Sequence, residues 1–227
     1  MDDAIARAQP TDGKVTLVGY SLGTLRVGRA LDAAKFPGIV DKVDRVAFLS
    51  PFFGGPTEET PPPQGFVTFP LTLAERVQIV EGGRMATPAR ESACAGYQVD
   101  GSGEQAWQQL MNLQGDSTGL LRLPTFSSYG FNEAVAGQLS RPTLVMQGLD
   151  DVVVPSSGSA VYNALPPSMP NKVLVQVDCA THEMLWERAH STVTATLAEW
   201  ITNGTFDGAQ AGRFTVDASG IARPSVP

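Results

Sequence analysis

The sequence has only two cysteines, two histidines, and 16 basic against 23 acidic side chains. A net charge of -7 argues against a nucleic-acid partner, because phosphate contacts need a basic face. No apolar run reaches the roughly 20 residues of a membrane span. The opening "MDDAIARAQP" lacks the basic start and apolar centre of a signal peptide, which leaves export open only for a chain whose leader has been removed. Two cysteines decide nothing about redox compartment. Cys94 and Cys179 read first as two separate small core residues, with a disulfide as the alternative. Chemistry that needs an imidazole can draw only on His182 and His190.

What is present is ordinary for a globular chain: 227 residues, 42% hydrophobic and 17% charged. That length fits one domain with a full core, or one domain carrying a large insertion. Four short apolar runs, "KVTLVGY", "VDRVAFLS", "RPTLVMQG" and "NKVLVQVDC", suit buried parallel strands. Helical patterns stand between them. Leu25, Val27, Ala30 and Leu31 share a face within 22–34. "SSGSAVYNAL" reads as a helix entered through serine caps, and "WERAHSTVTATLAEWITNG" as a longer helix, holding His190 in its interior, stopped by Asn203-Gly204. Alternating strands and helices predict an α/β fold, a mainly parallel sheet covered on both faces. Residues 1–51 and 141–204 form the expected core, 52–140 an insertion, and 205–227 a tail with a hairpin near Asp217–Gly220 or no fixed form.

The insertion opens with the Pro/Gly-rich "PFFGGPTEETPPPQG", which is unsuited to regular structure. "LTLAERVQIVEG" and "GEQAWQQLMNLQG" then predict helices, so a helical cap is expected. Trp107, Leu110 and Met111 share one face. Helix packing is the plainer account of that stripe, and lining of a substrate pocket the sharper one.

The pentapeptide Gly19-Tyr20-Ser21-Leu22-Gly23 reads G-x-S-x-G between a strand and an amphipathic helix. A nucleophilic serine needs a sharp, exposed turn, a base to take its proton, and donors for an oxyanion. Glycines two before and two after allow strand and helix to approach closely. The helix start places the Leu22 N–H and a positive dipole end beside Ser21. His182, in "VDCATHEMLWE", directly follows the fourth strand and so reaches the same sheet end as Ser21. A zinc motif H-E-x-x-H fails at Trp186, and nothing in the chain calls for a cofactor. "GLDDVVVP" after the third strand offers Asp150 and Asp151. Adjacent side chains diverge, so at most one of the two meets the histidine.

In "VTLVGYSLG", "PTLVMQGLDDVVVP" and "CATHEMLWE", and coarsely from 14 to 202, the sequence resembles the α/β-hydrolase superfamily, above all its serine esterases and lipases. The resemblance implies that the acid is Asp151, three residues after Gly148 and shortly before Pro155. It implies a small-molecule carboxylic ester as substrate, an acyl-enzyme on Ser21, His182 as base, Leu22 N–H as oxyanion donor, and a cap or lid inserted between two strands. Epoxide and haloalkane chemistry is disfavoured, since those members use aspartate where Ser21 stands. Acyl transfer by the same triad is the nearest rival, and a non-catalytic binding module is the alternative from another class. Family members carry several strands ahead of the serine turn, and the loop after one of them supplies a second oxyanion N–H. This chain has only residues 1–13 there. The first strand is therefore expected at a sheet edge, completed by a second copy of the chain or by a separate N-terminal fragment.

Overall fold

The computed structural model describes residues 13, 15–54, 66–69, 88–94, 119–122 and 131–225. Six strands form one sheet: β1 (Thr16–Tyr20), β2 (Arg45–Leu49), β5 (Thr143–Gly148), β6 (Lys172–Val177), β7 (Gly212–Val216) and β8 (Ala222–Pro224), adjacent in that order. The first five run parallel, and β8 returns antiparallel to β7. A separate antiparallel pair, β3 (Phe66–Phe69) with β4 (Gly119–Arg122), lies within the insertion. The helices are α1 (Gly23–Ala30), α2 (Pro37–Val40), α3 (Pro88–Ala93), α4 (Glu133–Ala136), α5 (Ser157–Ala164) and α6 (His190–Asn203).

Strand alternation sorts the core into two layers. Val46, Phe48, Val145 and Leu174 face one way and pack on Leu25, Val27 and Leu31 of the α1 region, Val135 and Ala136 of α4, and Val161 of α5. Ala47, Leu49, Leu144, Met146, Val173 and Val175 face the other way, onto Val193 and Trp200 of α6 and the nearby Met184 and Phe206. Full burial of each large side chain contributes roughly 1.5–3 kcal/mol. The indole N–H of Trp200 is satisfied inside this layer by the Val46 carbonyl at 3.0 Å, as a buried indole requires. Gly28 lets α1 settle onto Phe131: a Cβ there would meet the ring at 2.3 Å.

All four predicted strands form, and α6 ends at Gly204 in the left-handed conformation (φ 72°), as Asn203-Gly204 leads one to expect. Several expectations are corrected. Ser156 does not cap α5: it is left-handed (φ 61°) with no side-chain cap bond, and Ser157 Oγ donates to the Pro51 carbonyl at 2.5 Å. His190 opens α6 instead of lying within it. The cysteines are not separate: Cys94 and Cys179 form a disulfide. Of the two forms expected for the tail, the hairpin is the one present: residues 212–224 form β7 and β8 about the Asp217–Gly220 turn, and they add to the main sheet. The helices expected at 71–82 and 103–115, with Trp107, Leu110 and Met111, lie outside the described residues.

Candidate active site

The parallel strands end on one side, and each expected site residue follows such an end. Ser21 comes directly after β1 with φ 52°, a conformation that costs a non-glycine residue about 1 kcal/mol and must be held by its surroundings. The hold is visible. Ser21 N–H donates to the Leu49 carbonyl at 3.0 Å, and its own carbonyl accepts from Thr24 N–H at 3.0 Å and Thr24 Oγ1 at 2.6 Å. Gly19 is needed for the close approach, since a Cβ there would lie 2.9 Å from Thr24 Cα. Gly23 is not: a Cβ on it would meet nothing within 4 Å. The start of α1 has no side-chain cap, and the Leu22 N–H, in the first turn where helix N–H groups have no partner within the helix, has no acceptor among the described residues.

His182 is buried, 5% exposed. Its Nε2 lies 2.8 Å from Ser21 Oγ. Its Nδ1 lies 3.0 Å from Asp151 Oδ2 and 3.2 Å from Oδ1. An ionised carboxylate can only accept, so Nδ1 carries the proton and the Nε2 lone pair is turned toward the serine hydroxyl. Asp151 is itself fixed by its own turn, with Oδ1 accepting from the N–H groups of Val153 and Val154, each at 3.0 Å. The structure thus brings together Ser21, Asp151 and His182 and leaves out the two alternatives. Asp150 takes the guanidinium of Arg90, through Nε and Nη2 at 2.7 Å each. His190 Nδ1 donates to the Glu187 carbonyl at 2.8 Å.

Residues not singled out from the sequence support the histidine. Tyr20 OH reaches the His182 carbonyl at 2.9 Å and Glu183 Oε2 at 3.0 Å. Burial and the adjacent Glu183 charge push the Tyr20 hydroxyl well above its ordinary value, so it stays a donor. Ser50 Oγ adds a longer contact to the same carbonyl, at 3.3 Å. Glu187, 5% exposed, grips the residue before the histidine: its Oε2 accepts Thr181 N–H at 2.9 Å and its Oε1 accepts Thr181 Oγ1–H at 2.5 Å. Burial pushes the Glu187 carboxyl up to about 7, although the Thr181 donors pull the other way. Only the position of Tyr20, next to Ser21, offered any signal of these roles in the sequence. Phe52 sets its ring edge-on to His182, with centroids 6.0 Å apart. Among the described residues no group of three or more His, Cys, Asp or Glu is arranged to hold a metal, and no helix is long and apolar enough to cross a membrane.

The model of the alpha/beta hydrolase fold matches residues 2–189. The chain belongs to that family. Three solved α/β folds illustrate the likeness. A monoacylglycerol lipase from Paleococcus ferrophilus superposes with a TM-score of 0.57 at 18% identity, covering 90% of this chain and 73% of its own. An α/β-hydrolase enzyme, MGS-M2, from a Medee basin deep-sea metagenome library gives 0.52 at 14%, covering 90% and 70%. CarC, a serine hydrolase involved in carbazole degradation, gives 0.51 at 17%, covering 87% and 67%. At such identities the likeness concerns the fold alone. The chain spans about two thirds of the length of the structures it matches, for example 73% of the lipase and 66% of a Bacillus anthracis bromoperoxidase. No curated protein sequence matches it significantly.

Proposed function

We propose that this α/β hydrolase cleaves carboxylic esters of small molecules through an acyl-enzyme on Ser21. The observation that carries the reading is the unbroken chain of contacts Ser21 Oγ–His182 Nε2 (2.8 Å) and His182 Nδ1–Asp151 Oδ2 (3.0 Å). In this reading His182 Nε2 takes the hydroxyl proton as Ser21 Oγ attacks the ester carbonyl carbon. The oxyanion forms beside the Leu22 N–H, and Asp151 stabilises the imidazolium without itself taking a proton. Collapse of the intermediate expels the alkoxide, which leaves as the alcohol after receiving the proton from Nε2. His182 then deprotonates a water that attacks the acyl carbon. The acid departs and Ser21 recovers its proton. Residues 52–140 are read as the cap over this site. The outer edge of β1 is read as the place where a second copy or a separate N-terminal fragment adds a strand, bringing a second oxyanion donor.

Labelling with a fluorophosphonate followed by peptide mass analysis tests the assignment. The adduct is expected on Ser21, and Ser21→Ala should abolish both labelling and ester hydrolysis, a loss on the order of 10³-fold or more. An adduct on another serine, with activity lost, refutes the site. No adduct at all favours a non-catalytic module.

A further inference from the structure

We infer that Arg90, from the segment inserted between β2 and β5, is a positioning residue that holds the acid loop and the histidine loop in register. This inference rests on the triad reading above. The two loops already touch through their backbones. Leu149 N–H donates to the Val177 carbonyl at 2.9 Å, and Asp150 N–H donates to the Ala180 carbonyl at 3.0 Å. Gly148 lies so close to the second loop that a Cβ would fall 2.2 Å from the Ala180 oxygen. Beside the Asp151–His182 contact itself, Arg90 adds a charged side-chain bridge between the two loops. Its guanidinium forks onto both oxygens of Asp150 at 2.7 Å, and the same Nη2 reaches Asp178 Oδ1 at 2.5 Å. Asp150 immediately precedes Asp151. Asp178 stands at the foot of the turn that leads through Cys179 to His182.

The chain presents Arg90 to this place by a covalent tie. Cys94, just past α3, is bonded to Cys179, with Cα atoms 5.2 Å apart. One short helix is therefore fixed at two points to the very turn that carries the histidine. The electrostatic consequence follows from burial. The Asp150 side chain is 5% exposed, and a carboxylate so enclosed needs a partner. Without the guanidinium, Asp150 must either turn toward water, dragging the Asp151 turn with it, or remain as a second uncompensated negative charge beside Asp151. Either outcome loosens the Asp151–His182 contact. A lysine cannot replace the fork, because its ammonium is a point charge that cannot span both oxygens of one carboxylate and reach a second.

The test compares Arg90→Gln, Arg90→Lys, and Arg90→Gln combined with Asp150→Asn in the full chain. Two readouts are taken: steady-state hydrolysis of a p-nitrophenyl ester, and the His182 Nδ1–H proton resonance without substrate, isolated in a His190→Gln background. Arg90→Gln should lower kcat about tenfold to a hundredfold, the scale of a small misplacement of catalytic groups, with KM within about twofold. The resonance should weaken or shift. Arg90→Lys should fall between wild type and Arg90→Gln, and the double variant should recover part of the loss because no unpaired carboxylate is left at 150. Wild-type kcat and an unchanged resonance in Arg90→Gln, or in Arg90→Lys should Arg90→Gln fail to fold, overturn the inference. A double variant no better than Arg90→Gln does the same. Because the resonance needs no ester, a wild type that shows it but hydrolyses nothing refutes the ester reading alone, and Arg90 is then judged on the spectrum.

Discussion

Replacing Glu187 by glutamine should make the protein more stable at alkaline pH and leave it little changed in mild acid. Glu187 is enclosed beside the histidine turn, and burial raises its carboxyl from an ordinary 4.5 to about 7. The carboxylates of Glu183 and Asp150 act in the same direction. At about 1.4 kcal/mol per pH unit, holding the group ionised in the folded protein costs roughly 3 kcal/mol. The sign follows from proton uptake. Between 4.5 and about 7 the folded chain keeps a proton that the unfolded chain has lost, so stability is fullest below 4.5, declines through that window and levels off above it. Glutamine has nearly the same shape. Its amide oxygen can accept the Thr181 N–H and its amide nitrogen can donate to the Thr181 hydroxyl, so the grip on the loop survives without the charge. Urea unfolding of both proteins at about pH 4.5 and about pH 8 measures the effect. The stability difference should shift toward the glutamine form by roughly 3 kcal/mol between the two conditions. A difference that stays constant across that range would refute the reasoning, because it would mean that Glu187 titrates alike in the folded and unfolded chains.

Two further outcomes follow from packing. Gly19→Ala should destabilise by about 1–3 kcal/mol through its clash with Thr24, whereas Gly23→Ala should melt no lower than the parent, since alanine favours the helix and meets open space; thermal unfolding compares them, and equal losses would refute the distinction. Reduction of Cys94–Cys179, which closes a sequence separation of 85, should lower stability by about 2–4 kcal/mol, read as a fall in urea midpoint with reductant present; an unmoved midpoint would show that the tie constrains nothing.

Ser21 and His182 were legible because each belongs to a local pattern, whereas the choice of Asp151 over Asp150 came from the family resemblance. Ser21, Asp151 and His182 all follow short apolar runs, and parallel strands necessarily end on the same side. The continuous apolar run in "VDRVAFLS" likewise announced a strand buried on both faces. What sequence could not supply was pairing over distance. Nothing near Asp150 hints at Arg90, sixty residues earlier, and two lone cysteines carry no mark of their bond. Serine at the head of α5 misled for a related reason: Ser157 looks like a cap locally, but its hydroxyl is taken by Pro51 from a different strand end. Gly23 misled because a motif position suggested a steric need that the turn does not have. The C-terminal hairpin was readable from its turn, but not its place in the main sheet, because "GRFTV" joins that sheet only through β6, some forty residues away in the chain.

The order of the sheet gives its two margins opposite characters. One margin is β8, three residues long and ending in Pro224, with the Arg223 side chain 73% exposed. Shortness, a missing amide hydrogen and a protruding charge all discourage another strand from docking there. The other margin is β1, whose outer side meets no strand among the described residues and whose Val18 is 43% exposed. Among the described residues, the margin at Thr16–Tyr20 leaves strand polar groups without a neighbouring strand, whereas the margin at Ala222–Pro224 is built to discourage pairing. Two copies meeting edge to edge would pair β1 with β1 about a twofold axis, and the two Ser21 turns would lie at opposite ends of the seam.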